Sequence, residues 1–209
     1  MKKNIIFDLD GTIVDSRNGI EFALDYAFNN NNIVRNHGVD IGAPLDKIIK
    51  ENTRNLEIDI INKVKEDFIK SYDEEGYKLT KTYQGIEKIL EEINHETTIT
   101  LITNKRKVPT QKILKFLKLD KYIKEFYCID SMKNIYDKKS ILEEWLKIKK
   151  AEPNDTIYVG DTMDDFYACE TAKINFVGVE WGYGDISKKC IKIKKPKELK
   201  NILNDKPNK

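Results

Sequence analysis

Cysteine and histidine are scarce in this chain of 209 residues, which contains three Cys and two His. The cysteines, Cys128, Cys169 and Cys190, are far apart and form neither a CxxC pair nor a cluster with histidine. This pattern argues against a disulfide framework and against a zinc site. Since His37 and His95 have no partner at ligand spacing either, we predict surface positions for both.

Long apolar runs and an excess of one charge are also missing. No apolar run approaches the roughly 20 residues that cross a bilayer, and the run after the initial Met-Lys-Lys is too short for a signal peptide. Thirty-seven Lys and Arg nearly balance thirty-five Asp and Glu, so the net charge of +2 creates no field that would attract a polyanion. We therefore expect a cytoplasmic protein with no nucleic-acid partner and no membrane partner, and the sequence predicts no particular oligomeric state.

The composition is that of a folded protein, because 40% of the residues are hydrophobic and the chain holds ten Tyr and eight Phe. Its length suffices for one domain carrying a smaller insert. Short apolar runs rich in β-branched residues predict the strands 4–9, 97–103, 125–130, 156–160 and 175–181, with a sixth at 190–196 before a last helix at 197–203.

Helical periodicity lies between most of these strands, for example at 85–94 and 139–148. This alternation predicts the α/β class, with a Rossmann-like doubly wound parallel sheet covered by helices on both faces. Residues 16–82 break the alternation, because they show helical periodicity and no convincing strand. We interpret them as a helical insert, which would form an α-helical cap domain on a core domain of residues 1–15 and 83–209.

Polar side chains lie at the ends of several predicted strands or just beyond them. In open parallel sheets, ligands bind beyond the carboxyl ends of the strands, so these side chains are expected to meet at one edge. A lysine just before a predicted helix belongs to the same edge. The set comprises Asp8, Asp10, Thr103, Asn104, Lys138, Asp161 and Asp165.

The carboxylates of this set predict a metal. Several carboxylates in one place repel each other unless a cation compensates, and Mg²⁺ prefers oxygen ligands. Asp8 and Asp10 lie on the same side of their strand because side chains alternate with a period of two, and Gly11 lets the chain turn sharply after them. A carboxylate nucleophile, a second carboxyl as acid and base, and a surrounding hydroxyl, lysine and metal are the groups that phosphoryl transfer requires.

The motifs that carry these residues resemble those of the haloacid dehalogenase-like phosphohydrolase superfamily, in order and over nearly the whole chain. They are "FDLDGTIVDS" at 7–16, "LITNK" at 101–105, a Lys before a helix, and "YVGDTMDD" at 158–165. The helical insert, "IGAPL" at 41–45, "TNK" and "GVEWGYG" at 178–184 are similar to the phosphoglycolate phosphatase-like branch with a helical cap.

The resemblance implies a role for each residue. Asp8 would be the nucleophile, Asp10 the general acid/base, Thr103 the phosphate-binding hydroxyl and Lys138 the charge neutraliser. Mg²⁺ would be held by Asp8, the backbone carbonyl of Asp10, and Asp161, with Asp165 acting as a ligand or through water. The phosphate would also contact Gly11, Thr12 and Asn104.

Three assignments have alternatives. Lys139 competes with Lys138, and we prefer Lys138 because the family pattern usually leaves a gap before the apolar helix positions. Asp164 competes with Asp165, which the spacing of the last motif selects. Asn104 and Lys105 lie either near the phosphate or on an exposed loop. Trp181, at the end of the fifth predicted strand, and Tyr183, just after it, are expected to pack a loop rather than to bind substrate.

The function implied is a Mg²⁺-dependent phosphatase that hydrolyses a small phosphorylated metabolite, a phosphoglycolate-like phosphomonoester, through an aspartyl-phosphate. A phosphomutase of the β-phosphoglucomutase type is one alternative, but those relatives carry His where this chain has Ile20. A pyrophosphatase or nucleotidase is another. A non-catalytic module that binds a phosphorylated ligand is the alternative from a different class.

Overall fold

A computed structural model describes residues 4–35, 38, 41–53, 56–132, 137–186 and 190–204 of the chain. His37 lies outside these residues. The strands are β1 (Asn4–Phe7), β2 (Val14–Asp15), β3 (Lys81–Thr82), β4 (Thr98–Thr103), β5 (Glu125–Cys128), β6 (Thr156–Gly160), β7 (Asn175–Val179) and β8 (Ile191–Ile193). The α-helices are α1 (Arg17–Asn30), α2 (Leu45–Asn52), α3 (Ile58–Glu74), α4 (Ile86–Ile93), α5 (Lys107–Phe116), α6 (Lys138–Lys149), α7 (Met163–Ala172) and α8 (Leu199–Asn204).

The centre of the fold is a parallel sheet of six strands in the order β5-β4-β1-β6-β7-β8. Ile5 and Phe7 of β1 pack into one apolar cluster with residues of α4, α5 and α8. Ile6 between them packs into a second cluster with residues of α6 and α7. Helices therefore cover both faces of the sheet, as the near-continuous apolar strands require. The α/β class and the doubly wound parallel sheet predicted from the sequence are confirmed.

The sheet order places β1 at the centre, between β4 and β6. The order reverses around this strand, and such a switch point opens a crevice at the carboxyl ends of the strands. β1 ends at Phe7 rather than at Leu9 because the chain turns there: Gly11 has φ +84°, and the amide groups of Ile13 and Val14 both donate to the carbonyl of Leu9. Asp8 and the residues after it therefore lie at the crevice.

The helical insert consists of α1, α2 and α3. Leu24 and Phe28 of α1, Ile49 of α2 and Val64 of α3 belong to an apolar cluster separate from the two clusters of the sheet. Pro44 immediately precedes α2. The division into a core domain of residues 1–15 and 83–209 and a cap domain of residues 16–82 stays a prediction.

A small antiparallel ribbon joins the helical insert to the sheet. Val14 of β2 pairs with Thr82 of β3, and Asp15 pairs with Lys81. The prediction that residues 16–82 contain no strand is therefore wrong for β3. Two residues are too few to show the alternation of apolar and polar positions that identifies a strand in a sequence. In the described part of the chain, no helix is both long and apolar enough to cross a bilayer.

Candidate active site

Lys138 lies between two buried carboxylates at the carboxyl edge of the sheet. Its Nζ is 2.9 Å from Oδ1 of Asp8 and 2.5 Å from Oδ1 of Asp165. Lys138 is the first residue of α6, not a residue before it, and its side chain is 7% exposed, whereas Lys139 is exposed. Burial works to lower the pKa of Lys138, but Asp165 and Asp8 raise it well above its ordinary value. Lys138 is therefore a charged link between β1 and α7.

Asp165 is fixed by a capping box at the start of α7. Its Oδ2 accepts from the amide and the hydroxyl of Thr162, and its own amide donates to that hydroxyl. Its Oδ1 also accepts from the hydroxyl of Tyr158, at 3.1 Å. Asp165 is fully buried and Asp164 is exposed. The hydrogen bonds at the start of α7 therefore determine that Asp165, and not Asp164, points into the site.

Asp161 is held by two loops. Its Oδ2 accepts the backbone N–H of Tyr183 at 2.7 Å and that of Gly184 at 3.4 Å. Its Oδ1 lies 3.5 Å from the hydroxyl of Thr12, which donates to it. A β-carbon added to Gly11 would overlap the Asp161 carboxylate. The glycines of the two loops therefore let the backbone approach a buried acid closely.

The structure brings the carboxylates of Asp8, Asp161 and Asp165 together, with ligand oxygens within 4.8 Å of one another. Burial raises the pKa of Asp8 to about 8, a shift that Lys138 opposes and Asp165 and Asp161 increase. Burial also raises the pKa of Asp161 to about 6, against the hydrogen bond from the Tyr183 amide. One lysine cannot balance the negative charge of three buried carboxylates, and a divalent cation that prefers oxygen ligands would supply the missing positive charge. The donor set therefore fits Mg²⁺.

Asp10 points to a different side of the site. Its Oδ1 accepts a short hydrogen bond from the Ser16 hydroxyl, and its Oδ2 is 3.0 Å from Nζ of Lys105. The Lys105 ammonium also donates to the hydroxyl of Tyr72, on α3 of the helical insert, at 3.1 Å. Lys105 is buried in this contact and is not an exposed loop residue. Burial works to lower the pKa of Lys105, but Asp10 and Tyr72 raise it above its ordinary value.

Thr103 is the last residue of β4 and Asn104 follows it, next to this group. Thr103 is buried, and its hydroxyl accepts the amide N–H of Lys105 at 3.2 Å, which still allows it to donate its own proton. The Asn104 side chain donates to the carbonyl of Gly42 in the helical insert, at 3.1 Å. Its buried Oδ1 has no partner among the described residues. Both residues thus lie at the edge of the sheet where the sequence predicted them.

A cavity of about 530 Å³ separates the edge of the sheet from the helical insert. The sheet side includes Asp10, Asn104 and Lys105, and the insert side is largely apolar. The residues of the insert side include Ile20, Leu45, Ile48, Phe68 and Tyr72. Asp10 therefore faces a space of the size that holds a small ligand.

Three contacts of the site were not predicted from the sequence: those of Ser16, Lys105 and Tyr72. Ser16 carried a signal, because it closes the "FDLDGTIVDS" motif. The contact of Tyr72 with Lys105 had no signal in the sequence, since the two residues are 33 positions apart and belong to different parts of the fold.

Trp181 and Tyr183 do pack loops, as expected. The Trp181 indole donates to the Thr12 carbonyl at 3.0 Å, and the Tyr183 hydroxyl donates to Asp15 at 2.6 Å.

Comparison with known proteins places this arrangement in one family. The family model described as haloacid dehalogenase-like hydrolase matches residues 5–179. A phosphoglycolate phosphatase of Aquifex aeolicus is 26% identical over 212 residues, with 96% of each chain covered. The pyrophosphatase PpaX of Bacillus mycoides is 21% identical over 183 residues, covering 87% of this chain and 85% of the relative.

A solved structure has the same fold over nearly the whole length. It is that of a predicted phosphoglycolate phosphatase from Haemophilus somnus 129PT, with a TM-score of 0.87 and 22% identity. The match covers 97% of this chain and 98% of that one. The family resemblance carried by the four motifs is confirmed.

Proposed function

Because this chain belongs to the haloacid dehalogenase-like hydrolase family, we propose that it is a Mg²⁺-dependent phosphatase that hydrolyses a small phosphorylated metabolite through an aspartyl-phosphate. The observation that carries the proposal is the cluster of Asp8, Asp161 and Asp165 around Lys138, at the switch point of the sheet and next to the buried Thr103 hydroxyl. These are the groups that phosphoryl transfer requires. As part of the proposal, the protein acts in the cytoplasm.

In the first step, a carboxylate oxygen of Asp8 attacks phosphorus. The bond from phosphorus to the leaving oxygen breaks, and that oxygen takes the proton of the Asp10 carboxyl group. Asp10 suits this role because it faces the cavity, while the ammonium of Lys138 holds Asp8. The products of this step are the aspartyl-phosphate and a neutral alcohol.

In the second step, the Asp10 carboxylate takes a proton from water as the water oxygen attacks phosphorus. The bond between phosphorus and the Asp8 oxygen breaks, which restores both carboxyl groups and releases inorganic phosphate. Lys138 neutralises charge on Asp8 and on the transferring group, while the Thr103 hydroxyl donates to the phosphoryl oxygens. The amides of Gly11 and Thr12 donate to the carbonyls of Val14 and Leu9, so these two residues contribute through the shape of the loop beside the phosphoryl group. Asn104 orients the same group.

Mg²⁺, held by Asp8, the backbone carbonyl of Asp10, Asp161 and, directly or through water, Asp165, would supply charge neutralisation of the phosphoryl oxygens. The raised pKa values of Asp8 and Asp161 support this assignment, because they reflect an excess of negative charge that a divalent cation relieves.

The helical insert, residues 16–82, acts in this proposal as a cap domain over the core domain of residues 1–15 and 83–209. It closes one side of the cavity with apolar side chains, and excluding water there would favour transfer to a bound substrate. The cavity favours a small substrate over a macromolecular one. Phosphoglycolate and pyrophosphate are the first compounds to test, because relatives bear those names.

The test is phosphate release from a panel of phosphorylated metabolites with Mg²⁺ and with EDTA. We expect release with Mg²⁺ only, and none from the Asp8→Asn variant. Asp164→Asn is the control, because it makes the same change of Asp to Asn at an exposed acid on the helix that carries Asp165, and we expect it to keep its activity. Release that persists in Asp8→Asn, or that EDTA does not affect, would refute the proposal. Conversion of a sugar phosphate to its isomer without loss of phosphate would identify a mutase instead.

A further inference from the structure

We propose that Lys105 is a positioning residue for the general acid/base Asp10, and that Tyr72 of the helical insert holds Lys105 in place. The inference rests on the proposed phosphatase function. It assigns Lys105 a role in aligning the proton donor with the leaving group, and it gives the insert a part in the chemistry besides covering the cavity.

The first support is the way in which the Asp10 carboxylate is held. Each of its oxygens has a different partner, the Ser16 hydroxyl for Oδ1 and the Lys105 ammonium for Oδ2. Two partners in different directions fix the plane of a carboxylate, whereas a single one allows it to rotate. The side chains of Lys105 and Asp10 are only 8% and 6% exposed, so water competes little for this contact.

The second support is the position of Tyr72. Nζ of Lys105 lies 3.1 Å from its hydroxyl and 4.6 Å from its ring centroid, so the ammonium has a hydrogen bond and a cation–π contact with the same residue. The ring stacks on Phe68 with the centroids 5.6 Å apart. It also packs against Gly19 and Gly76, where an added β-carbon would lie 3.5 Å and 2.9 Å from ring atoms. The ring is therefore a rigid support.

The third support is that the end of α3 is bound to the segment that carries Lys105. The Arg106 guanidinium makes two hydrogen bonds to the Asp73 carboxylate, at 2.7 and 3.2 Å. The Lys112 ammonium donates to the Asp73 carbonyl at 2.6 Å. Cations are favourable at the C-terminus of a helix because they interact with its dipole. The position of Tyr72 is thus coupled to the loop after β4, where Lys105 lies.

The chemical consequence depends on the leaving group. An alkoxide is a poor leaving group, so its departure needs the proton of Asp10 in the right place. p-Nitrophenolate leaves without protonation. The second step, in which Asp10 acts as the base, is the same for every substrate, so the comparison is made on the first step alone. If Lys105 aligns Asp10, its removal slows the release of an alkyl leaving group in the first step and has little effect on the release of p-nitrophenolate. A purely structural role would slow the first step equally for both substrates.

The experiment compares Lys105→Met with the wild-type enzyme on an alkyl phosphate and on p-nitrophenyl phosphate, both with saturating Mg²⁺. In single-turnover measurements, we expect the rate of alcohol release to fall about 100-fold for the alkyl phosphate and the rate of p-nitrophenolate release to fall less than about threefold. Lys105→Arg should restore part of the loss because it keeps the charge. Lys115→Met is the matched control, since Lys115 is an exposed lysine on α5, and we expect it to leave both rates unchanged.

Tyr72→Phe tests the contribution of the helical insert. It keeps the ring and removes the hydroxyl, so we expect a loss of about tenfold with the same preference for the alkyl phosphate. A crystal structure of Lys105→Met gives a readout that does not depend on activity. In it, we expect the Asp10 carboxylate to have rotated away from its position, with Asp8 and Asp161 unmoved.

Each contrary result has its own meaning. Equal losses in the first-step rate on the two substrates, an unaffected first step with the alkyl phosphate, or an unmoved Asp10 carboxylate would overturn the role of Lys105 and leave the phosphatase function standing. A wild-type enzyme that hydrolyses neither compound, nor any member of the metabolite panel, would overturn the phosphatase function and this inference with it.

Discussion

Gly11 and Asp161 are in such close contact that a β-carbon on Gly11 would overlap the carboxylate of Asp161. Gly11 also has φ +84°, a conformation that L side chains rarely adopt. The loop after β1 therefore carries a residue without a side chain at the point where it meets the proposed metal ligand.

We expect Gly11→Ala to weaken Mg²⁺ binding and to destabilise the protein by about 1–3 kcal/mol, because strain and overlap both push Asp161 from its position. Isothermal titration calorimetry and urea unfolding measure the two effects. Gly38→Ala is the matched control, because a β-carbon there meets no described atom within 4 Å. Equal Mg²⁺ affinities for Gly11→Ala and the wild type would contradict the prediction.

Lys138→Met is expected to lower kcat about 10²- to 10³-fold, because it removes the cation that neutralises Asp8 during transfer. Removing one partner of a buried ion pair also leaves the remaining acids uncompensated, so the metal-free variant should lose about 3–5 kcal/mol of stability. Steady-state kinetics and denaturant unfolding provide the measurements.

Lys139→Met supplies the control for that variant, because Lys139 is the next residue and is exposed. We expect it to change stability by less than about 0.5 kcal/mol and to leave kcat unaltered. If the two variants behaved alike, the assignment of Lys138 as the charge neutraliser would fail.

The raised pKa values of Asp8, to about 8, and Asp161, to about 6, predict how pH affects the metal-free protein. The ordinary value of both is 3.8, so between about pH 4 and 8 the folded state binds more protons than the unfolded state. The contribution of these groups to stability is therefore full below pH 4 and is lost as pH rises toward 8. Thermal unfolding in EDTA, compared between the wild type and Asp8→Asn, measures this contribution.

Mg²⁺ binding should release protons, because the ligands must be deprotonated. We expect the increase in Tm caused by Mg²⁺ to be larger at pH 8 than at pH 6, and the binding heat to vary with the ionisation enthalpy of the buffer. A Tm increase that is the same at both pH values would rule out proton-linked binding.

Tyr183 connects the loop after β7 to the start of α1. Its hydroxyl accepts the amides of Ser16, at 2.8 Å, and Arg17, at 3.2 Å. Tyr183→Phe leaves these donors unpaired, so we expect a loss of about 1–3 kcal/mol in urea unfolding. Tyr167→Phe is the control, because Tyr167 is 56% exposed, and stabilities that fall equally in the two variants would disprove the importance of these hydrogen bonds.

The sequence predicted the positions of the acids well, for a physical reason. Asp8 and Asp161 directly follow apolar strands, and the carboxyl ends of parallel strands lie at one edge of a sheet. Their convergence depends only on strand order and direction, which the alternation of strands and helices indicates. The choice of Asp165 over Asp164 came from the spacing of the last motif, and the start of α7 gives its physical reason, because Asp165 is buried there and Asp164 is exposed.

The contacts of Asp10 could not be predicted in this way. They depend on how the helical insert docks on the sheet and on the side-chain conformations of Lys105 and Tyr72, neither of which follows from a local pattern. The ribbon of β2 and β3 escaped prediction because its strands have two residues each. Long strands and their ends can thus be predicted from the sequence, whereas contacts between the helical insert and the sheet cannot.

The ribbon of β2 and β3 has a consequence for how such a protein can diversify. Since Val14 and Thr82 pair side by side, the polypeptide departs from the sheet and rejoins it at almost one point. An exchange of the segment between them would leave the connectivity of every sheet strand intact. One catalytic edge can therefore be combined with different inserted segments by exchange at two chain positions that lie side by side, and under our proposal each new segment would again have to hold Lys105.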